Sequence, residues 1–409
     1  MPMKHPGGDS CINGGMDIPR DRNELARERS ERILVRLAAF IASLTALYLL
    51  VAVASGSRPY REMAEPLPPP PPLPDSVWTE RVFEWAEESW PVNTLLVAHR
   101  DTVIYEHYFG GMEPDRKVNV KSASKSIMSA LVGIALQRGY LDSLGQRVEE
   151  FLPEYFTDAT DPIKRTITLE HLVTMTAGLE GTSFQNYDPW VLSRNWVRFA
   201  LDQPVLAPPG TQMDYSTGNS HLLSVILTKQ SGMSTLAFAR RYLFEPIGAS
   251  LPSWDRDPQG YYLGGNNMSL TPEEMLAFGE LYLHGGMAGE QRVMPEEWVE
   301  RSWNVRTYSP HTGAGYGYGW WHRSLAGEDV WYALGYGGQY VFVIPELEST
   351  VVVTSSLESR GRRRGRRRSP FSLVSYRIIP AIRDRIRIQN GELPATPSEQ
   401  QGGGSAPFF

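Results

Sequence analysis

The chain of 409 residues contains 41% hydrophobic and 21% charged residues, the balance of an ordinary globular protein with a sizeable core. Its formal net charge of −6 is small for this length and argues against nucleic acid as a partner. The single cysteine, Cys11, excludes an intrachain disulfide and a cysteine-based metal site. The histidines show no spacing typical of metal ligands, so neither a metal nor an organic cofactor is predicted.

The N-terminal region predicts a membrane anchor. Residues 1–36 are polar, and residues 37–57 contain no charge, long enough as a helix to cross the roughly 30 Å of a bilayer core. More arginines precede this segment than follow it, which predicts that residues 1–36 form a cytoplasmic tail and that the remainder is extracytoplasmic, on the periplasmic side in a bacterium. Residues 37–57 have two other interpretations. They could be a signal peptide cleaved near Ala52-Val53-Ala54, or a buried core helix.

Residues 58–75 predict a linker, because the run from Pro66 to Pro74 favours a semi-rigid polyproline II spacer. The folded domain is expected over residues 76–388, and residues 389–409 are expected to form a disordered tail. This arrangement describes one catalytic or binding domain held away from a membrane.

Hydrophobic periodicity predicts an α+β domain in which an early β-hairpin pairs with late strands in one antiparallel sheet, flanked by N- and C-terminal helices and joined to a mostly helical subdomain. The predicted strands are Thr94–Ala98, Thr102–Phe109, Gly317–His322, Val330–Leu334, Gln339–Ile344 and Thr350–Ser355. The predicted helices are Val77–Glu88, Ile127–Gln137, Leu169–Met175, His221–Gln230, Leu236–Leu243, Pro272–Leu283 and Leu373–Ile386, the last with a kink at Pro380.

A Ser-x-x-Lys element, Ser122 to Lys125, lies at the start of the second predicted helix. The i, i+3 spacing places both side chains on one helix face. Lysine can then take the serine proton if burial lowers its pKa, and the helix N-terminus favours an oxyanion. Alone this signal is weak, because an exposed helix start would give the same pattern.

Two further patterns support a catalytic interpretation. Tyr215 stands in a turn before an amphipathic helix, where a phenol can relay protons beside a lysine. The glycine-rich segment Gly335–Gln339 precedes a clear strand, and glycines let a substrate approach a strand edge.

In this order of elements the chain resembles the β-lactamase and penicillin-binding-protein superfamily, in its class C-like branch of esterases, amidases and 6-aminohexanoate-dimer hydrolases. The resemblance covers roughly residues 80–385. Its strongest stretches are KSASKSIMSALVGIAL, ITLEHLVTMTAGLEG, PPGTQMDYSTGNSHLLS, YGYGWW and GYGGQYVFVIPELESTVVVTSS.

The resemblance implies that Ser122 is the acylated nucleophile, that Lys125 is the general base and that Tyr215 passes protons to the leaving group. It also implies an oxyanion hole formed by the backbone N–H groups of Ser122 and Gln339. The implied activity is hydrolysis of a small-molecule ester or amide without a cofactor.

The substrate-binding positions depart from the family pattern. Thr217 replaces the Asn or Ser of the Tyr-x-Asn/Ser motif, and Tyr336-Gly337-Gly338 falls where the family has Lys-Thr-Gly or His-x-Gly. The missing cation at Tyr336 is informative, because that residue normally helps to bind the carboxylate of a β-lactam. No lysine follows Lys229 to replace it.

Several features have two interpretations. His311-Thr312-Gly313 spells a variant of the third motif but precedes the wrong strand, and His171 and His221 fit helix packing better than catalysis. Five aromatic residues fit either a substrate pocket or the core: Tyr187, Trp190, Trp196, Trp320 and Trp321.

The arginine-rich run Arg360–Arg368 is interpreted as a solvated loop, with contact to anionic lipid or a polyanion as the alternative. A catalytically inactive relative that binds peptides or cell-wall fragments is the rival function. The chain has no GxSxG element, which argues against an α/β-hydrolase.

Overall fold

The computed structural model describes residues 82, 85, 92–251, 254–356 and 369–393. They belong to a compact unit, Pro71–Phe409. The predicted cytoplasmic tail 1–36, membrane segment 37–57 and linker 58–75, like the arginine run Arg360–Arg368, lie outside the described residues. Within them, no helix is both long and apolar enough to cross a membrane.

In the part of the chain that the structure describes, an eight-stranded antiparallel sheet forms the frame, in the order β2-β1-β12-β11-β10-β9-β8-β7. Two two-stranded sheets, β3-β4 and β5-β6, lie outside it. The strands are β1 Val92–His99, β2 Thr102–Tyr108, β3 Val118–Asn119, β4 Ser269–Leu270, β5 Met287–Ala288, β6 Gln291–Arg292, β7 Thr307–Tyr308, β8 Gly315–Tyr316, β9 Trp321–Leu325, β10 Glu328–Gly335, β11 Gln339–Ile344 and β12 Ser349–Ser355.

The α-helices of the described residues are α1 Ser124–Gln137, α2 Val148–Phe151, α3 Leu169–Val173, α4 Tyr187–Leu192, α5 Trp196–Asp202, α6 Thr217–Ser231, α7 Thr235–Ala239, α8 Pro272–Leu283, α9 Glu296–Ser302, α10 Pro370–Leu373 and α11 Ile379–Gln389. Short 3₁₀ turns cover Lys121–Ala123, Pro153–Tyr155, Pro162–Thr166, Phe184–Asn186 and Pro345–Leu347. Single π-helical turns cover Arg240–Phe244 and Val374–Ile378.

The predicted α+β architecture is confirmed. Strand β1 pairs with β12, so the ends of the domain meet in one sheet. Both faces of this pair are buried: Val352 packs into the core under α1, α6 and α8, while its neighbours Val351 and Val353 pack with the C-terminal helices. The strands therefore read as continuous apolar runs, because successive side chains point to opposite, equally buried faces.

Three predicted boundaries are wrong in instructive ways. The expected strand Gly317–His322 begins only at Trp321, because Gly319 adopts a φ of 77° and turns the chain before it. The expected helix Leu169–Met175 ends at Val173, and Met175 has a φ of 61°. The C-terminal helix extends from Pro370 to Gln389 and contains a π-helical turn just before Pro380, where proline removes a ladder N–H.

Two predicted ends lie partly outside the described residues. Of the expected helix Val77–Glu88, only Val82 and Trp85 are described, and both are helical and buried. At the other end, a hydrogen-bonded turn follows α11 to Leu393, which lies within the expected tail 389–409.

Helix α8 contacts the sheet through a glycine. A Cβ atom at Gly279 would lie 2.5 Å from Thr350 Cγ2 and 2.8 Å from Val341 Cγ1. We expect Gly279→Ala to lower the free energy of unfolding by about 1–3 kcal/mol through overpacking, although alanine is the better helix former. Urea denaturation measures this, with the exposed Glu273→Ala on the same helix as control. Equal stability of the two variants would contradict the close approach.

Candidate active site

Ser122 lies in the short 3₁₀ turn Lys121–Ala123 that leads directly into α1. The preceding residue, Lys121, has a φ of 52°, an uncommon backbone conformation for a residue with a side chain. Asn119 supports it, because its side-chain oxygen accepts from Lys121 N at 2.9 Å and its amide donates to Asn267 at 3.0 Å. The serine is thereby held at the helix start, partly exposed.

Lys125 is the second residue of α1 and is buried, with 3% of its surface exposed. Its Nζ atom donates to Ser122 Oγ at 3.2 Å, to Thr217 Oγ1 at 3.1 Å and to the Gly265 carbonyl at 2.7 Å. Burial lowers the pKa of this amine from its ordinary value of 10.5 to about 7. A lysine with this pKa is substantially neutral near pH 7 and can accept a proton.

Tyr215 faces the same two residues. Lys125 Nζ lies 4.9 Å from the centre of its ring. Burial raises the pKa of this phenol well above its usual range, although the Ser122 side chain acts to lower it. The hydroxyl therefore remains protonated at neutral pH and is available as a donor.

Thr217, at the first position of α6, turns its hydroxyl toward Lys125. The same oxygen lies 2.9 Å from Ser183 Oγ, and Ser183 Oγ also accepts from Thr217 N at 2.9 Å. In the structure this hydroxyl thus contacts the lysine, whereas the sequence interpretation assigned Thr217 to substrate binding.

The third predicted motif lies in the β10–β11 hairpin. Gly335 pairs with Gln339, and Gly337 and Gly338 have φ values of 92° and 99°. A Cβ atom at Gly335 would lie 2.1 Å from the Val120 carbonyl, so this end of β10 packs directly on the segment that precedes Ser122. Tyr336, 62% exposed, is at the tip of the hairpin.

A family model described as beta-lactamase matches residues 85–372, which is well over half of the chain. The chain belongs to the β-lactamase family. It is 23% identical over 297 residues to the 6-aminohexanoate-dimer hydrolase of Paenarthrobacter ureafaciens, covering 64% of this chain and 72% of that protein. The predicted resemblance is confirmed.

Solved structures show the same fold. The octameric penicillin-binding protein homologue from Pyrococcus abyssi has a TM-score of 0.59 at 20% identity, covering 77% of this chain and 77% of that one. EstCE1, a hydrolase with promiscuous acyltransferase activity, has a TM-score of 0.60 at 16% identity, covering 75% of this chain and 98% of that one.

Within this β-lactamase-type fold, the ambiguous residues fall in distinct places. His311-Thr312-Gly313 forms the turn between β7 and β8 and is not part of the β10–β11 hairpin that packs before Ser122. His171 Nδ1 accepts from Thr168 N at 3.2 Å and caps α3. His221 forms a fully buried pair with Asp257 at 2.9 Å.

The five aromatic residues fall into two groups, those in the core and those nearer the site. Trp190, Trp196 and Trp320 belong to the buried core. Trp321 packs on Tyr215 with ring centres 5.4 Å apart, and the Tyr187 hydroxyl accepts from Asn266 at 2.9 Å. Only part of this set therefore borders the site.

Sequence reasoning missed Gly265, whose carbonyl contacts Lys125, and Ser183, which contacts Thr217. Gly265 follows Gly264, where a Cβ atom would lie 2.1 Å from the Ser220 carbonyl. A Cβ atom at Gly265 itself would lie 3.2 Å from Lys125 Nζ. Two adjacent glycines indicate that the backbone closely approaches another group. The sequence does not indicate that this group is Lys125.

The burial of Lys125 predicts a pH-dependent stability. Its folded pKa of about 7 lies below the ordinary value of 10.5, so between these values the unfolded chain binds more protons. The contribution of this group to the free energy of unfolding therefore rises with pH in that window, by up to about 1.4 kcal/mol per pH unit. Below about pH 7 both states are protonated and the contribution is constant.

Lys125→Met keeps a side chain of similar volume and removes the titratable amine. We expect Lys125→Met to be more stable than the wild type at pH 7, and the gap to narrow as the pH approaches 10. Denaturant titrations from pH 6 to 10 measure the difference between the two proteins. A gap that is constant across this range would mean that Lys125 keeps an ordinary pKa in the fold.

Proposed function

We propose that this protein is a serine hydrolase that cleaves an ester or amide bond through an acyl-enzyme on Ser122. The observation that carries the proposal is the distance of 3.2 Å between Lys125 Nζ and Ser122 Oγ, at a lysine whose pKa burial lowers to about 7. A neutral amine at this distance is a competent general base for the serine hydroxyl.

The proposed reaction has two steps. Lys125 takes the Ser122 proton as Oγ bonds to the substrate carbonyl carbon, and the backbone N–H groups of Ser122 and Gln339 donate to the oxyanion. The position of Tyr215, with its ring centre 4.9 Å from Lys125 Nζ, supports a role for its hydroxyl as the relay that passes a proton to the departing alcohol or amine. In the second step, water attacks the carbonyl carbon of the acyl-enzyme and gives its proton to Lys125 and Tyr215. These groups return a proton to Ser122 Oγ as the carboxylic acid leaves.

The surroundings of Ser122 favour a neutral, partly apolar substrate. The Phe184 side chain is 75% exposed, and its ring centre lies 6.3 Å from that of Tyr215. With Trp321 on the same phenol, this makes an aromatic wall beside the nucleophile. Tyr336, Gly337 and Gly338 would line the opposite side, with a phenol where lactam-processing relatives place Lys or His.

We also propose that residues 37–57 anchor the enzyme as a single-pass protein, with the catalytic domain on the extracytoplasmic side. Twenty-one uncharged residues preceded by arginines support this. The linker that follows would hold the active site above the bilayer, where small esters or amides diffuse.

Ser122→Ala tests the nucleophile. We expect it to abolish both hydrolysis of p-nitrophenyl butyrate and labelling by a fluorophosphonate probe, with a stability change below about 1 kcal/mol because the side chain is partly exposed. Ser129→Ala is the control, since this buried hydroxyl of the same helix donates to the Tyr318 carbonyl at 2.7 Å. Labelling that persists in Ser122→Ala would identify another nucleophile, and an unlabelled wild type would favour the inactive binding protein.

Tyr336→Lys tests the choice of substrate. A β-lactam carries a carboxylate beside the reacting ring, and a charge-assisted bond contributes about 1–3 kcal/mol more than a neutral one. We expect Tyr336→Lys to raise kcat/KM for nitrocefin relative to p-nitrophenyl butyrate by roughly tenfold to hundredfold. Tyr336→Phe should not raise this ratio. Efficient nitrocefin hydrolysis by the wild type would show that another group supplies the cation.

A further inference from the structure

The three groups around Lys125 Nζ differ in what they can donate and accept. The Gly265 carbonyl, 2.7 Å away, only accepts, whereas the hydroxyls of Ser122 and Thr217 can do either. A charged lysine has three N–H donors and satisfies all three groups. A neutral lysine has two N–H donors and one lone pair, so one neighbour must become the donor.

Only one of the two neutral arrangements is productive. If Ser122 donates to the lone pair, its proton is already on the path to the base. If Thr217 donates instead, the lone pair is occupied and Ser122 can only accept. The direction of the Thr217 hydroxyl therefore decides whether neutral Lys125 acts as a base toward Ser122.

Ser183 is placed to set that direction. Its Oγ lies 2.9 Å from Thr217 Oγ1, on a side chain that is buried together with Thr217. The same Oγ accepts the Thr217 N–H at 2.9 Å, which fixes Ser183 relative to the start of α6. A Thr217 proton directed at Ser183 leaves the Thr217 lone pair facing Lys125.

We propose that Ser183 is a positioning residue: it accepts the Thr217 hydroxyl proton and so directs the lone pair of neutral Lys125 at Ser122. This rests on the proposed function, because it concerns the base of the same reaction. It also assigns a role to Thr217, as the group that carries the effect of Ser183 to the lysine.

The neighbouring residue provides a matched control. Thr182 Oγ1 accepts from Gly218 N at 2.7 Å, so Thr182 and Ser183 both bind the first N–H groups of α6. The Thr182 hydroxyl contacts Gly218 N and Ser216 Oγ rather than Thr217 Oγ1. Thr182→Ala thus removes a comparable helix cap without touching the proposed relay.

The test is the pH dependence of kcat/KM for p-nitrophenyl butyrate, measured on the full chain. We expect Ser183→Ala to lower the plateau by roughly tenfold or more, because the Thr217 proton then turns to Lys125. The acidic limb of the pH profile, where kcat/KM falls as Lys125 gains a proton, should also move to lower pH. The reason is that a hydrogen bond from Thr217 Oγ1 to Lys125 Nζ stabilises the neutral amine. Among the described residues, the titratable group that faces Lys125 is Tyr215, which stays protonated in this range.

A merely structural role for Ser183 gives the opposite shift. Loosening the site would readmit water to Lys125, raise its pKa toward 10.5 and move the acidic limb to higher pH. Thr182→Ala should keep the wild-type limb, and Ser183→Thr should restore the plateau because it keeps the hydroxyl. An unchanged plateau, or a limb that moves upward, would overturn the proposal.

Two further measurements keep the outcomes separate. Ser183→Cys retains the volume but has a weakly accepting sulfur, so it should show the same two effects in smaller degree even if Ser183→Ala folds poorly. In a Thr217→Val background, Ser183→Ala should shift the limb no further. A wild type that the fluorophosphonate probe does not label overturns the proposed function and this inference together. A labelled enzyme with an unaltered Ser183→Ala profile overturns the inference alone.

Discussion

A buried amine with three hydrogen-bond partners is the interaction on which the rest of the site depends. Lys125 lies inside the helical layer with 3% of its surface exposed, and the free energy of removing a charge from water is what lowers its pKa to about 7. A carboxylate beside it would have restored the charge. Its partners are two hydroxyls and a carbonyl instead, which bind the amine in either protonation state.

The fold supplies these partners from segments far apart in the chain. The turn Lys121–Ala123 and helix α1, which follows it directly, carry Ser122 and Lys125 as neighbours. Helix α6 brings Thr217, and the glycine pair before β4 brings the Gly265 carbonyl. The β10–β11 hairpin packs against the residue before Lys121 through Gly335. Burial of both faces of the sheet makes this frame rigid, and a rigid frame is required because a shift of an ångström would break the contacts of the amine.

Membership of the β-lactamase family gives a fold and a general chemistry, and local departures decide the substrate. Tyr336 offers a phenol at the tip of the hairpin, and Phe184 exposes an aromatic ring beside Tyr215. Tyr336 places no charge at this position, and Phe184 adds apolar surface near Tyr215. In the proposed hydrolase they would favour neutral acyl compounds over anionic lactams.

The sequence by itself determined the elements with strong periodicity and the pair that is local in the chain. The helix Pro272–Leu283 and the strand Gln339–Ile344 have the boundaries that the pattern predicts, because capping residues and continuous apolar runs are encoded locally. Ser122 and Lys125 are neighbours for the same reason, since the i, i+3 spacing of a helix leaves little freedom.

Tertiary structure decided what no local pattern carries. The contacts of Thr217 with Lys125, of Ser183 with Thr217 and of Gly265 with the amine join residues 34 to 140 positions apart. Left-handed backbone at Gly319 and Met175 cut short a strand and a helix that periodicity extended. The pKa of Lys125 also belongs to this level, because burial is a property of the packed molecule and not of the residues beside it in sequence.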